Sequence, residues 1–247
     1  MIESMTHRRT IRRYSQKEVT DELLNRLLEA ASHTATMGNM QLYSVVVTRQ
    51  EEMKKRLAPT HFNQPMVEGS SVILTFCADF HRFTEYCNQR DAKAGYDNLL
   101  SFMNATTDTL LFTQSFCTLA EDEGLGTCYL GTTIYNPMQI IDILNLPQLT
   151  FPVATITIGY PNENPAMADR LPLDSIIHQE SYHEYTEEEI NNIYSHKESL
   201  PENKQYIIEN SKQNLAQVYT DVRYTGKDNE AMSEGMLKAL KHQGFLK

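Results

Sequence analysis

Residues 7–15 read His-Arg-Arg-Thr-Ile-Arg-Arg-Tyr-Ser and place four arginines within nine positions. The chain of 247 residues carries 22 Lys+Arg against 32 Asp+Glu, so this basic stretch is a local positive region on a chain of net charge -10. In an extended backbone Arg8, Thr10 and Arg12 lie on one side, because successive side chains of a strand alternate. Two guanidinium groups and a hydroxyl suit a phosphate group better than a lone carboxylate. The stretch therefore indicates a site for a small anionic ligand.

Two other interpretations of a basic run are about as common, namely a solvated tail and a nucleic-acid arm. Nucleic-acid-binding domains usually present a basic face and have a high pI. This chain has a sequence pI near 5.3 and one short basic stretch. We therefore favour the small anionic ligand and expect no nucleic-acid partner.

The composition, with 40% apolar residues, is enough for a full core, and the length favours one large domain with an extension. No apolar run reaches the length of about 18 residues that a bilayer requires, and the first residues lack the layout of a secretory signal. We expect a soluble cytoplasmic protein with no membrane partner. The four cysteines show no CxxC spacing and the eight histidines are scattered, which predicts buried free thiols and no metal site. The cysteines are Cys77, Cys87, Cys117 and Cys128.

Helices and strands are interleaved over the first 160 residues, as judged from the spacing of apolar residues. The predicted helices cover residues 21–32 (after a capping Thr20), 51–57, 98–123 and 137–144. The predicted strands cover residues 43–48, 72–78, 125–131 and 151–159. The apolar residues of 98–123 cover more than one face, which indicates a helix in the centre of the fold or against a second subunit. Asn136 with Pro137 and Gln139 predicts a capped start for the last of these helices.

The last third of the chain is different in character. From Thr186, with Glu189 completing a capping box, it is helical, polar and charged. We therefore divide the chain into a core of residues 1–185 and a helical C-terminal extension of residues 186–247, which packs on the core or on a partner subunit. No Gly-x-Gly-x-x-Gly follows a strand and no P-loop is present, so neither a Rossmann fingerprint nor an NTPase is predicted.

Five segments together resemble the nitroreductase family of FMN-dependent oxidoreductases, within it the larger, NADPH-preferring subgroup. Residues 8–12 are similar to the opening Arg-x-Ser-x-Arg/Lys signature, and residues 36–41 to a small-residue loop that ends in Asn-x-Gln. Gln64 falls where the family has an amide facing the flavin. Residues 123–131 are similar to Gly-Leu-Gly-x-x-Tyr-Ile-Gly, and residues 164–172 to Asn-Pro-x-x-Lys-x-Arg-x-Pro. The five segments occur in the order and spacing of the family.

The resemblance implies an α+β fold with a central, mostly antiparallel sheet surrounded by helices, in an interlocked homodimer with two FMN sites at its interface. Arg8 and Arg170 would bind the FMN phosphate, with Arg9 and Thr10 beside them. Arg12 would approach the N1/C2 edge of the flavin ring, where a fixed cation stabilises the reduced form.

The other cofactor-binding residues follow from the same resemblance. Gln64 would bond to the pyrimidine edge, and the backbone of Leu130 and Gly131 would approach flavin N5, where glycine permits close contact. The loop from Thr36 would reach the flavin from the other subunit. The full implied set is Thr36, Met37, Gly38, Asn39, Gln64, Tyr129, Leu130 and Gly131.

The implied activity is a ping-pong reaction in which NAD(P)H, with a preference for NADPH, delivers hydride to flavin N5, and a nitroaromatic, a quinone or free flavin then takes two electrons. The flavin carries this chemistry, so we assign no catalytic side chain. A flavin- or anion-binding sensor or carrier on the same scaffold is the alternative. A dehydrogenase or remodelling enzyme for one specific metabolite would differ only in the pocket above the flavin.

Two features depart from the family pattern. Ala168 stands where the family has a lysine, so one phosphate cation is missing, and either FMN binds more weakly or Arg9 compensates. The nearest basic loop that would recognise the 2′-phosphate of NADPH is Arg223–Lys227, where the resemblance is poor.

Overall fold

One four-stranded sheet forms the centre of the structure, a computed structural model that describes residues 2–247. Its strands are β1 (Tyr43–Thr48), β2 (Val72–Asp79), β3 (Gly126–Leu130) and β4 (Thr150–Gly159). They lie in the order β1-β2-β4-β3, and every neighbouring pair is antiparallel. The resemblance therefore gave the fold class correctly, and the four predicted strands match to within a residue or so at each end.

The α-helices precede, connect and follow these strands. They are α1 (Ile2–Thr6), α2 (Asp21–Ser32), α3 (Glu51–Leu57), α4 (Pro65–Gly69), α5 (His81–Asn88), α6 (Leu99–Asp122), α7 (Pro137–Leu144), α8 (Glu187–Ser199), α9 (Pro201–Glu209), α10 (Leu215–Val218) and α11 (Gly226–His242). Short 3-10 turns occur at Met37–Asn39, Ala58–His61, Gly131–Ile134 and Leu173–Ser175, and a π turn at Tyr219–Arg223.

The chain forms two compact units. One runs from the N-terminus to Ala166 and adds Met232–Lys247, and the other comprises Met167–Ala231. The first unit holds the sheet, and the second is made of loops and helices. The boundary at residue 185 that the sequence suggests stays a prediction.

Alternation along the strands divides the core between the two faces of the sheet. On one face Leu74 and Ile156 pack with α2 and α6, and on the other Ile73 and Leu130 pack with α3 and α4. The Thr20 side chain caps α2 by accepting from Leu23 N, as predicted.

The long helix α6 was also predicted correctly. Asn98 caps its start by accepting from Ser101 N, and Gly124 follows its end with φ +80, which favours glycine. Phe112 packs against Phe76 of β2 at 5.6 Å between ring centroids. A second row of apolar side chains on the helix is exposed: Leu99, Leu100, Met103, Leu110 and Leu111.

The arginine stretch packs closely on the sheet at two glycines. Gly126 and Gly159 lie opposite each other in β3 and β4, and Ile11 and Tyr14 cover this pair. A Cβ on Gly126 would lie 2.6 Å from Ile11 Cβ, and one on Gly159 would lie 2.8 Å from the Tyr14 ring, so both positions require glycine. Ile11 N also donates to Thr127 O at 3.0 Å. The segment that carries the arginines therefore runs close along β3.

Three sequence expectations need correction. Asn136 does not cap α7; its Nδ2 donates instead to Thr60 O at 2.8 Å, which ties α7 to another segment. The basic stretch Arg223–Lys227 is not one loop, since Arg223 ends the π turn and Lys227 lies in α11. The helices α1, α4 and α5 were not predicted. By contrast, the capping box of Thr186 and Glu189 is present.

Candidate functional site

Arg8 is held by a buried acid of α6. Its Nε lies 3.1 Å from Glu121 Oε1, and the two side chains are 22% and 10% exposed. The Thr127 hydroxyl of β3 donates to the same carboxylate oxygen. Burial raises the pKa of Glu121, while the hydrogen bond from Thr127 and the charge of Arg8 oppose that rise. Arg8 is thus part of a three-residue cluster that joins the basic stretch, α6 and β3.

The neighbouring residues of the stretch have different partners. Arg9 Nη1 donates to Asn164 Oδ1, a neutral acceptor, and Arg9 Nε is buried with no hydrogen-bond partner in the described part of the chain. Thr10 forms a parallel bridge with Thr127. Arg12 has an exposed side chain, while its backbone N–H donates to Glu163. That hydrogen bond is the main cause that lowers the pKa of Glu163.

The loop of residues 36–42 is anchored by one carboxylate of α6. Asp108, which is 2% exposed, accepts from the Thr36 hydroxyl, from Met37 N at 2.9 Å and from Leu42 N at 3.3 Å. The Thr36 hydroxyl oxygen in turn accepts from Gln41 N at 2.9 Å. Asp108 therefore fixes both ends of the loop.

Within this loop the backbone is left-handed at Gly38, Asn39 and Gln41, with φ of 54, 55 and 53. Glycine adopts this conformation freely and asparagine more readily than most residues, which explains the small-residue pattern of the motif. Met37 and Asn39 are exposed. The loop thus presents side chains outward while Asp108 holds its backbone.

Gln64 lies at the start of α4 and is partly buried. Three residues earlier, His61 is fully buried, and its Nδ1 lies 2.8 Å from the Thr132 hydroxyl. Thr132 directly follows Gly131, and the Asn136 bond to Thr60 lies beside this contact. These two hydrogen bonds connect the segment that carries Gln64 with the segment that follows β3.

Burial lowers the pKa of His61 to about 4. The unfolded chain takes up this proton near pH 6.5, so between those values the unfolded state binds more protons and stability falls as pH falls. Between pH 7 and pH 4, protonation of His61 in the unfolded state should cost the wild-type protein about 3 kcal/mol of unfolding free energy. The variant His61→Gln should not show this loss. Urea unfolding at four pH values measures this difference. The exposed His33→Gln is the control, and an unchanged pH dependence in His61→Gln would contradict the assignment.

Gly131 begins the turn after β3 and faces open space. Apart from the adjoining backbone, no atom of residues 2–247 lies within 4 Å of the position that a Cβ would occupy there. Leu130 before it is buried in the core, whereas Tyr129 is 45% exposed. The end of β3 therefore combines a fixed backbone with an unfilled space next to it.

Arg170 belongs to the second unit. Its Nη1 donates to the backbone oxygens of Ala168 and Asp169, at 3.3 and 2.8 Å. The Asp169 carboxylate is paired with Lys197 Nζ at 2.8 Å. Within its own unit Arg170 thus lies in a loop fixed by an ion pair, and its phosphate role stays a prediction.

In the first unit, the structure brings Arg8, Thr10 and Arg12 together along β3, and it ties the Gln64 segment to the turn at Gly131. The loop of residues 36–42 is held separately on α6. Sequence reasoning missed Asp108, Glu121 and His61, which fix these segments. Of these three residues, Asp108 could have been found from the sequence, because an acid in a helix that is apolar on more than one face is expected to be buried and paired.

Comparisons with known proteins identify the family of the chain. The sequence profile of the Nitroreductase family matches residues 5–160. The chain is 33% identical over 184 residues to the FMN reductase [NAD(P)H] of Bacillus subtilis, with 74% of each chain covered. It is 29% identical over 181 residues to the oxygen-insensitive NADPH nitroreductase of Salmonella typhimurium, covering 73% of this chain and 74% of that protein. A crystal structure of a Bacteroides fragilis protein superposes with a TM-score of 0.98 and 62% identity, covering 99% of this chain and 100% of that chain. The chain belongs to the nitroreductase family.

The described residues show neither a metal site nor a membrane-spanning helix. They contain no group of three or more His, Cys, Asp or Glu side chains placed to hold a metal ion. None of the helices within residues 2–247 is long and apolar enough to cross a membrane.

Proposed function

We propose that this protein is an FMN-dependent NAD(P)H oxidoreductase. Family membership supports the reaction class, and one structural observation carries the proposal for this chain. The arginine stretch is hydrogen-bonded to β3, and the turn that follows this strand begins at Gly131, beside an unfilled space. A phosphate-binding stretch and an open backbone turn on one strand suit a ligand with a phosphate at one end and a flat ring at the other.

The residues present fit the chemistry of FMN. The Nε of Arg9 is buried and has no hydrogen-bond partner among residues 2–247, and its Nη1 donates to the neutral side chain of Asn164. A phosphate would supply the missing acceptor. Gly131 leaves room for a ring that a side chain would fill. Arg12 has an exposed guanidinium that is suited to the negative charge of a reduced flavin edge.

Bound FMN would accept hydride at N5 and pass two electrons to an acceptor, and the protein supplies position and electrostatic field. Arg8, Arg9 and Thr10 would hold the phosphate. The Leu130–Gly131 backbone and Gln64 hold the ring, and His61 keeps these two segments together as a neutral imidazole.

The proposal also covers the electron donor and the electron acceptors. We propose NADPH as the preferred donor and nitroaromatics, quinones or free flavin as acceptors. The name of the Salmonella relative, an NADPH nitroreductase, supports NADPH and nitro acceptors, and the name of the Bacillus relative, an FMN reductase, supports free flavin as an acceptor. An open space beside Gly131 also admits flat acceptors of different outline, which favours a broad acceptor range over a single metabolite.

We also propose that two chains associate as a homodimer. The exposed apolar row on α6 supports this, since such contiguous rows usually mark an interface. The row comprises Leu99, Leu100, Met103, Leu110 and Leu111. Sedimentation equilibrium should give twice the chain mass of 28.4 kDa. A mass of one chain at micromolar concentration would exclude the dimer.

The decisive experiment is an absorbance spectrum of the purified protein with FMN, repeated after NADPH is added without oxygen. We expect the flavin band to bleach, and to return when a nitroaromatic or a quinone is added. A protein that holds FMN but is not reduced would be a carrier or sensor instead. A protein that binds no FMN would contradict the proposal altogether.

A further inference from the structure

Glu121 occupies an unfavourable position for a carboxylate. It lies in the last turn of α6 (Leu99–Asp122), where the negative end of the helix dipole disfavours an acid. Its side chain is 10% exposed, and its Oε2 is buried with no hydrogen-bond partner in residues 2–247. Buried ion pairs are often no more stabilising than apolar residues of similar volume. Stability alone therefore gives a weak reason for an acid here.

The contacts of Glu121 indicate a different role. Its Oε1 lies 3.1 Å from Arg8 Nε in an ion pair and accepts from the Thr127 hydroxyl. Thr127 is fully buried in β3, and its carbonyl accepts from Ile11 N at 3.0 Å. Glu121 therefore fixes the Arg8 side chain relative to the strand that ends at Gly131.

The geometry also determines which part of Arg8 stays available. Glu121 uses the inner nitrogen, Nε, and the two terminal nitrogens have no hydrogen bond to any residue in the described chain. The side chain is still 22% exposed. A guanidinium held at Nε presents its terminal nitrogens as a planar fork, which matches two oxygens of a phosphate.

We infer that Glu121 is a positioning residue of the FMN phosphate site, and that it acts by holding Arg8 at Nε. This inference rests on the proposed function. Removing Glu121 has two opposed effects. The site becomes more positive, which favours any anion, and Arg8 becomes free to rotate, so that binding must order it. We expect the second effect to dominate because Arg8 Nε and the Thr127 hydroxyl also lose their buried acceptor.

The test compares FMN with riboflavin, which lacks the phosphate. Dissociation constants are measured by quenching of flavin fluorescence on the apoprotein. We expect Glu121→Ala to weaken FMN binding about tenfold with riboflavin binding unchanged, and Glu121→Gln, which keeps an acceptor oxygen, to stay within about threefold of wild type. Glu123→Gln is the matched control, because Glu123 is an exposed acid two residues further on, paired with Arg26.

A double variant tests whether Glu121 acts through Arg8. We expect Glu121→Ala to cause no further loss of FMN affinity in an Arg8→Ala background. Additive losses, equal weakening of FMN and riboflavin, or FMN binding as tight as in wild type would each overturn the inference. If the alanine variant does not fold, Glu121→Leu, which fills the space but offers no acceptor, replaces it in both backgrounds. A loss of FMN affinity confined to the background with Arg8 supports the inference, and equal losses in both backgrounds overturn it. Wild-type protein that binds no FMN would overturn the proposed function instead.

Discussion

Replacing Gly131 with valine is expected to abolish FMN binding and to leave the apoprotein folded. Beyond the adjoining backbone, no atom in the described part of the chain lies within 4 Å of the position of the new Cβ, and the φ of Gly131 lies outside the left-handed region. The apoprotein therefore has room for the side chain. A flavin ring packed against the Leu130–Gly131 backbone would overlap with it, and a rigid ring cannot move aside, so we expect a loss of at least about 100-fold in affinity.

Two other glycines serve as comparisons for this variant. Gly95→Val adds the same side chain at another open position, and it should change neither the melting temperature nor FMN binding. Gly126→Ala places a Cβ 2.6 Å from Ile11 Cβ, so it should lower the melting temperature itself. Flavin fluorescence titration and thermal unfolding separate the three. Wild-type FMN affinity in Gly131→Val would show that the ring does not bind at this turn.

The strands and the long helix were predictable because their signals are local. β1 and β2 are mostly apolar and rich in β-branched residues, and α6 has a capping Asn98 and a terminating Gly124. The missed helices lack such signals. α1 and α4 have five residues each, too few to show a period, and α5 has eight residues, of which only Cys87 is buried within the described structure.

The site was predictable only in part, for a physical reason. Motif residues such as Arg8 and Gly131 can be recognised from neighbours in the sequence. The residues that hold them cannot, because Glu121 and Asp108 make their contacts with segments far away along the chain. An acid on a helix has the same local pattern whether it faces solvent or a buried donor. The capping role assigned to Asn136 failed for the same reason, since its true partner, Thr60, is distant in sequence.

Replacing Asp108 with alanine is expected to lower the free energy of unfolding by about 3 kcal/mol, because three donors lose a buried acceptor. These donors are the Thr36 hydroxyl, Met37 N and Leu42 N. Asp108→Asn should have a smaller effect, because the amide oxygen still accepts a hydrogen bond. Some loss remains, because the new NH₂ group faces donors and cannot accept from them. Asp97→Asn, a change at an exposed acid just before α6 that pairs with Lys247, is the matched control and should change little.

The same variant also tests whether residues 36–42 form part of the flavin site. Three of these residues have a left-handed backbone, which persists only where surrounding contacts hold it. Without Asp108 the loop loses the contacts at both its ends, so its side chains should no longer be ordered for a ligand. We therefore expect FMN affinity to fall more than tenfold in Asp108→Ala at a temperature where the protein is still folded. Reduced stability with wild-type FMN affinity would show that the loop lies outside the flavin site, and wild-type stability would show that other contacts hold the loop.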